Sequence, residues 1–145
     1  MRVVVDTNVW ISGLISPAGS PARVVQAVLD GQIIPVFSKA TFAELRSVLV
    51  RPKISRFLTR SSVEVKAFLG NLETIAEFVE APRGTSAIRD PKDRPFLDLA
   101  ASHPAPDFLV TGDRDFDRSH CEGVAVVTPS RFAALMRSGG AFKSR

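Results

Sequence analysis

Four carboxylates far apart in the chain stand where chemistry could be done: Asp6, Glu44, Asp93 and Asp113. Asp6 follows the apolar run Val3-Val4-Val5, and Asp113 closes the run Phe108-Leu109-Val110-Thr111-Gly112, so each is predicted at the carboxyl end of a strand. In open α/β sheets, ligands bind in the crevice beyond those ends. Asp93 precedes one helical segment and Glu44 lies within another, so four segments could deliver acids to one place. Such a cluster needs neutralising, because two unit charges about 4 Å apart repel by about 4 kcal/mol at an effective dielectric of about 20. Protons can do it by raising some pKa values, or hard divalent cations can, and Mg²⁺ or Mn²⁺ accepts carboxylate oxygen while keeping several waters. Ions of that kind are the usual companions of phosphate chemistry.

Each acid also has an ordinary use. Asp6 and Asp93 could cap helices, Glu44 could be a solvated helix residue, and Asp113 and Asp115 in Thr-Gly-Asp-Arg-Asp-Phe could form an Asx turn. One shared site accounts for all of them at once. Arg94 and Arg114 stand beside proposed ligands and could hold phosphate oxygens or pair with a neighbouring carboxylate. Arg51, Lys53, Arg56 and Arg60 could line an RNA path, but charges beside a proline break such as Pro52 are usually solvated surface. His103 and His120 lack metal-ligand spacing.

The elements that must position these groups alternate. Arg2 to Asp6 reads as a strand covered on both faces, and Asn8 to Leu14 as a helix. Ser20-Pro21 reads as N-cap and first residue of a second helix that Gly31 closes. Ile33 to Phe37 is the next predicted strand. Ser38 then caps a helix whose Phe42, Leu45, Val48 and Leu49 share a face, with Glu44 off it. Pro52 ends or bends that helix, Lys53 to Arg60 is a short helix or loop, and Ser61 or Ser62 caps a long amphipathic helix carrying Val65, Phe68, Leu69, Leu72 and Ile75. Phe78 to Ala81 reads as a short strand, Asp93 to Ser102 as a helix, Asp107 to Thr111 and Val124 to Val127 as strands, and Pro129 opens a last helix. Strands alternating with helices predict an α/β sandwich with a central, mainly parallel sheet, since parallel strands need crossover connections.

Composition narrows the rest. The 145 residues suit one domain, 1–137, followed by a short basic tail, 138–145. Hydrophobic residues at 45% and charged residues at 23% exclude a wholly disordered or fibrous chain. A net charge of +4 would help a polyanion approach without identifying one. No apolar run approaches the roughly 18 residues of a membrane helix, and Met1 to Asp6 leads into a strand without a secretory apolar region, so a cytoplasmic protein with no membrane association is expected. The single Cys121 forms no internal disulfide and lacks the partners of a zinc site. There is no Tyr for phenol chemistry, the ten Phe suit a core, and no Gly-x-Gly-x-x-Gly or Walker pattern supports a nucleotide cofactor. A haloacid-dehalogenase-type phosphatase would need a second acid where Asn8 stands, and a receiver-type phosphoacceptor would need paired acids after the first strand.

Val5-Asp6-Thr7-Asn8-Val9, Glu44, Asp90-Pro91-Lys92-Asp93-Arg94-Pro95-Phe96-Leu97 and Leu109-Val110-Thr111-Gly112-Asp113-Arg114-Asp115-Phe116, in that order, resemble the PIN-domain family over almost the whole chain. Within it the chain looks most like the toxin components of prokaryotic toxin-antitoxin systems. The resemblance implies a small ribonuclease dependent on Mg²⁺ or Mn²⁺, leaving 5′-phosphate and 3′-hydroxyl ends. It makes Asp6, Glu44, Asp93 and Asp113 the acidic quartet, with Asp115 as an outer member and Asp90 as the alternative to Asp93. Asp6, Asp93 and Asp113 would hold the metal, with Glu44, Asp115 and Asp90 as further candidates. Thr7, Asn8 and Thr111 would shape the site around them, and Arg94 and Arg114 would hold RNA phosphates. Lys92, Arg94 and Pro95 stand where related proteins often carry a denser acidic run. A cognate antitoxin and a homodimer are the partners implied. The alternative is an inactive PIN scaffold that binds RNA or a protein.

Overall fold

The computed structural model describes residues 1–82, 93–112 and 120–139. Its elements are β1 (Arg2–Val5), α1 (Thr7–Ile15), α2 (Ser20–Leu29), β2 (Ile34–Phe37), α3 (Lys39–Leu49), α4 (Pro52–Arg60), α5 (Val65–Ile75), β3 (Glu77–Phe78), α6 (Arg94–Ala100), β4 (Phe108–Val110), β5 (His120–Cys121), β6 (Val124–Val127) and α7 (Pro129–Ser138). The strands form one sheet in the order β3-β2-β1-β4-β6-β5. Every neighbouring pair is parallel except β5 with β6. The expected α/β sandwich with a mainly parallel sheet is therefore present. Successive crossovers run outward from β1 in one direction to β2 and β3, and on the other side to β4 and β6. The order thus reverses between β1 and β4, the place where such sheets open a crevice.

Strand alternation sorts the core into two layers. Val3, Val5, Phe37 and Val110 face one cluster with Trp10, Val24, Leu45, Leu58, Leu72 and Phe132 of the surrounding helices. Val4, Val36, Leu109 and Val124 face the other, where α6 contributes Phe96, Leu97, Leu99 and Ala100. Because β1 and β4 are covered on both faces, they read as unbroken apolar runs instead of an alternating pattern. Trp10 is fully buried and stacks on Phe37 with ring centroids 5.9 Å apart, fixing α1 over the ends of β1 and β2.

Several boundaries differ from those expected. Helix α1 starts at Thr7, and the N-cap of α2 is Gly19 at φ +133, a conformation open to glycine, with Ser20 as the first helical residue. Lys53 to Arg60 is helical and Pro52 opens that helix at its first position, where the missing N–H is harmless. The cap of α5 is neither Ser61 nor Ser62 but Glu64, whose carboxylate accepts from the N–H groups of Lys66 and Ala67 at 3.3 and 2.7 Å. Ser61 is engaged elsewhere, donating to the Ile15 carbonyl at 3.0 Å. The strand expected over Phe78 to Ala81 is centred earlier, at Glu77–Phe78, and the antiparallel β5 was not foreseen.

At the amino ends of the strands, Arg2 ties the sheet together. Its guanidinium reaches Glu77 at 2.6 Å and the carbonyls of Pro104 and Ala105 at 2.9 and 3.2 Å, while its backbone N–H donates to Asp107. Glu77 is held below the usual glutamate pKa, first by the hydrogen bond from Arg2, then by its charge, against an opposing desolvation.

Candidate active site

Parallel pairing carries one residue past β1 and β4. The Asp6 N–H donates to the Val110 carbonyl at 3.0 Å, and the Thr111 N–H donates to Val127 at 3.0 Å, so Asp6 and Thr111 lie side by side at the carboxyl ends. The Asp6 carbonyl then receives the N–H groups of Val9 and Trp10 and starts α1. Asp6 therefore occupies an N-cap position, but its side chain makes no capping hydrogen bond. Instead, Oδ2 accepts from the Thr111 hydroxyl at 2.8 Å, and the two residues are 5% and 3% exposed. The ordinary capping role does not account for this carboxylate.

Helix α3 brings Glu44 to the same end. Its N-terminus is fixed by a reciprocal box in which Ser38 Oγ accepts from the Thr41 N–H at 3.2 Å and Thr41 Oγ1 accepts from the Ser38 N–H at 2.9 Å. Glu44 lies one turn further on, half-buried, and its Oε2 accepts from the Thr7 hydroxyl at 2.5 Å. Since Thr7 follows Asp6 directly, this bond couples the acid of α3 to the acid after β1. Asn8 is exposed on the first turn of α1.

Asp93 is the N-cap of α6, a helix that packs against both β1 and α3. It is 6% exposed and, like Asp6, makes no side-chain capping bond. Arg94 Nε lies 3.2 Å from Asp98 one turn on, so this guanidinium holds its own helix. Asp90, Asp113, Arg114 and Asp115 lie outside the described residues. Among the described residues no three His, Cys, Asp or Glu side chains form a set able to hold a metal. The donors that are described, buried carboxylate oxygens from Asp6 and Asp93, nevertheless match what a small hard cation requires, since Mg²⁺ is commonly bound by one or two carboxylates together with substrate phosphates.

Arg51, Lys53, Arg56 and Arg60 are all exposed, and Arg60 lies over the Phe57 ring at 5.8 Å; His103 is exposed too. A cleft of about 550 Å³, which no sequence motif announces, opens between the start of α3, the segment after β3 and the start of α6, lined by Ser38, Lys39, Glu80 and Arg94 among others. Its signal was position: Ser38 and Val79 directly follow strands of the same sheet.

The family model for the PIN domain matches residues 2–115. This chain belongs to the PIN-domain family. The match spans Asp6, Glu44, Asp93 and Asp113. The PIN-domain chain is 27% identical over 115 residues to the uncharacterized protein MJ1680 of Methanocaldococcus jannaschii, covering 79% of this chain and 72% of that one. Its fold is similar to that in the crystal structure of VapBC2 from Rickettsia felis bound to a DNA fragment from their promoter, with TM-score 0.57, 14% identity, and 88% and 98% of the two chains covered. It is also similar to that in the structure of FitAcB from Neisseria gonorrhoeae, with TM-score 0.51, 19% identity and the same coverages. Among the described residues, no helix of this PIN domain is long and apolar enough to cross a membrane.

Proposed function

We propose that this PIN-domain protein is a ribonuclease dependent on Mg²⁺ or Mn²⁺ and the toxin of a toxin-antitoxin pair. The observation that carries the reading is the pair Asp6 and Asp93: both sit at helix N-caps, both are buried at the carboxyl side of the sheet, and neither carboxylate caps its helix. Asp6, Asp93 and Asp113 would hold the ion, with Glu44 beside them and Asp115 or Asp90 as outer or alternative ligands. A divalent ion bound there supplies a water of lowered pKa and charge neutralisation for the phosphate.

The chain's own residues supply the rest. Thr111 fixes the Asp6 carboxylate through the bond to Oδ2, and Thr7 fixes Glu44, which leaves Glu44 placed to orient an attacking water. Asn8 shapes the rim, Arg94 stiffens the start of α6, and Arg114 would meet a phosphate oxygen of the RNA. Holding these groups before substrate arrives lowers the reorganisation needed during the displacement. The neighbours named for VapBC2 and FitAcB support an antitoxin partner, and a homodimer in the cytoplasm completes the proposal.

The test is purified protein with single-stranded and structured RNA. Cleavage should require Mn²⁺ or Mg²⁺, stop on chelation, leave 5′-phosphate and 3′-hydroxyl ends, and be lost in Asp6→Asn. Cleavage without metal, or full activity in that variant, overturns the assignment, and tight RNA binding without cutting identifies an inactive scaffold.

A further inference from the structure

We infer that the cleft at the carboxyl ends of β2 and β3 seats a nucleotide next to the scissile phosphodiester, with Lys39 holding its phosphate and Glu80 reading its base. This rests on the ribonuclease reading above and adds a substrate subsite to it. Register supplies the first argument. Val5 pairs with Val110, Val3 with Pro35, and Phe37 with Phe78. Carried past the strand ends, these registers set Thr111, Asp6, Ser38 and Val79 in one row across the sheet. The Val79 N–H bond to the Phe37 carbonyl, at 2.9 Å, continues the β2–β3 pairing. At about 4.8 Å per strand, the Ser38 and Val79 walls of the cleft begin roughly one and two strand spacings from Asp6. A strand of RNA with its reactive phosphate at Asp6 and running toward β2 lays a neighbouring nucleotide along that row.

Size and chemistry supply the second argument. The cleft encloses about 550 Å³, within the roughly 300–1,000 Å³ of small-ligand sites. Val79, Ala81 and Pro95 give it an apolar wall suited to the face of a base. Its four charged residues divide in two. Arg94 and Asp98 bind each other one turn apart in α6, so they form a fixed wall. Lys39 and Glu80, exposed just past the ends of the neighbouring strands β2 and β3, both line the cleft and form no ion pair among the described residues. A lysine and a glutamate that line one nucleotide-sized cleft without an ion pair among the described residues match the phosphate and the base of a nucleotide. The ammonium meets the phosphate, and the carboxylate accepts from an exocyclic amine, as Glu does from cytosine N4. Because the donor that separates the bases is the exocyclic amine, the occupant favoured is a cytidine, adenosine or guanosine over a uridine, which has none.

The experiment measures binding and cleavage of short single-stranded RNAs that differ only at positions flanking the cut. Binding is read by fluorescence anisotropy over a salt series, with Ca²⁺ replacing Mg²⁺. Lys39→Ala should weaken binding across all sequences and reduce the slope of log affinity against log salt by about 0.7, the value for one phosphate contact on a single strand. Glu80→Gln should lower the wild-type preference for cytidine, adenosine or guanosine over uridine by about fivefold, with uridine substrates little affected. Both residues are exposed, so the variants should retain the wild-type unfolding midpoint. If the wild-type protein cuts RNA but neither the salt slope nor the base preference moves in these variants, the cleft is no subsite and the inference falls alone. If wild-type protein neither binds nor cuts RNA, the ribonuclease reading falls and this inference falls with it.

Discussion

Replacing Thr111 with Val tests whether Asp6 is positioned by a hydroxyl or merely buried near one. The substitution exchanges Oγ1 for a methyl group of nearly the same shape at a residue only 3% exposed, so cavity formation contributes little. It removes the 2.8 Å donor to Asp6 Oδ2 and leaves a buried carboxylate short of one partner. Hydrogen bonds to charged groups contribute about 1.5–3 kcal/mol, so we expect Thr111→Val to cost about 2 kcal/mol of stability. With a urea slope of about 2 kcal/mol/M this is a fall of about 1 M in the unfolding midpoint at unchanged slope. Thr111→Ser keeps the donor and should lose less than half as much. In an Asp6→Asn background, where the acceptor is neutral, the cost of Thr111→Val should drop by about half, the coupling being read from the double-mutant cycle. Urea unfolding followed by Trp10 fluorescence is the assay. A Thr111→Val midpoint within about 0.2 M of wild type, or costs that simply add in the double mutant, would refute the positioning role.

Three further substitutions probe the frame. A Cβ on Gly13 would stand 2.6 Å from both the Pro21 carbonyl oxygen and Val25 Cγ2, so Gly13→Ala should force α1 and α2 apart and cost about 1–3 kcal/mol by chemical denaturation. Glu64→Ala should remove the cap of α5 at a cost of about 1 kcal/mol, visible as a lower thermal midpoint; no change would mean that the carboxylate bonds to Lys66 and Ala67 are not maintained. The pKa of Glu77 is lowered in the folded protein, so its bond to Arg2 contributes stability that is present above the ordinary value of 4.5 and is lost as pH falls through the folded value. The stability gap between wild type and Glu77→Gln should therefore be constant above about pH 5 and close as pH falls below 4.5; a gap independent of pH would overturn that account.

What could be read from the sequence was what local chemistry determines. The run Val3-Val4-Val5 showed a doubly covered strand, Ser38 showed the start of α3, and Pro129 marked the last helix because proline suits a first helical turn; Pro52, expected to end or bend α3, opens α4 by the same rule. The same logic placed Asp6 and Asp93 at helix starts. It could not show that their side chains decline the cap, because that depends on Thr111, 105 residues from Asp6, and on packing between layers. The link between Thr7 and Glu44 is hidden for the same reason, its partners being 37 residues apart. Strand β5 escaped notice because two residues carry no periodicity. Its signal lay in the turn, where Glu122 and Gly123 both take positive φ, 53 and 81, as a tight hairpin requires. The cap of α5 was misplaced because serines are common caps, whereas an acid with two backbone donors in reach served here.

The central strand β1 comes from the first residues of the chain, but its flanking partner β4 and the hydroxyl that holds Asp6 are contributed more than 100 positions later. At about 5–20 residues per second, a ribosome makes Thr111 roughly 5–20 s after Asp6. Throughout that interval the nascent polypeptide cannot form the buried pair of Asp6 and Thr111, whatever its early helices do. An enzyme that attacks RNA would thus stay inert at least until β4 and Thr111 have left the ribosome that is translating its own message.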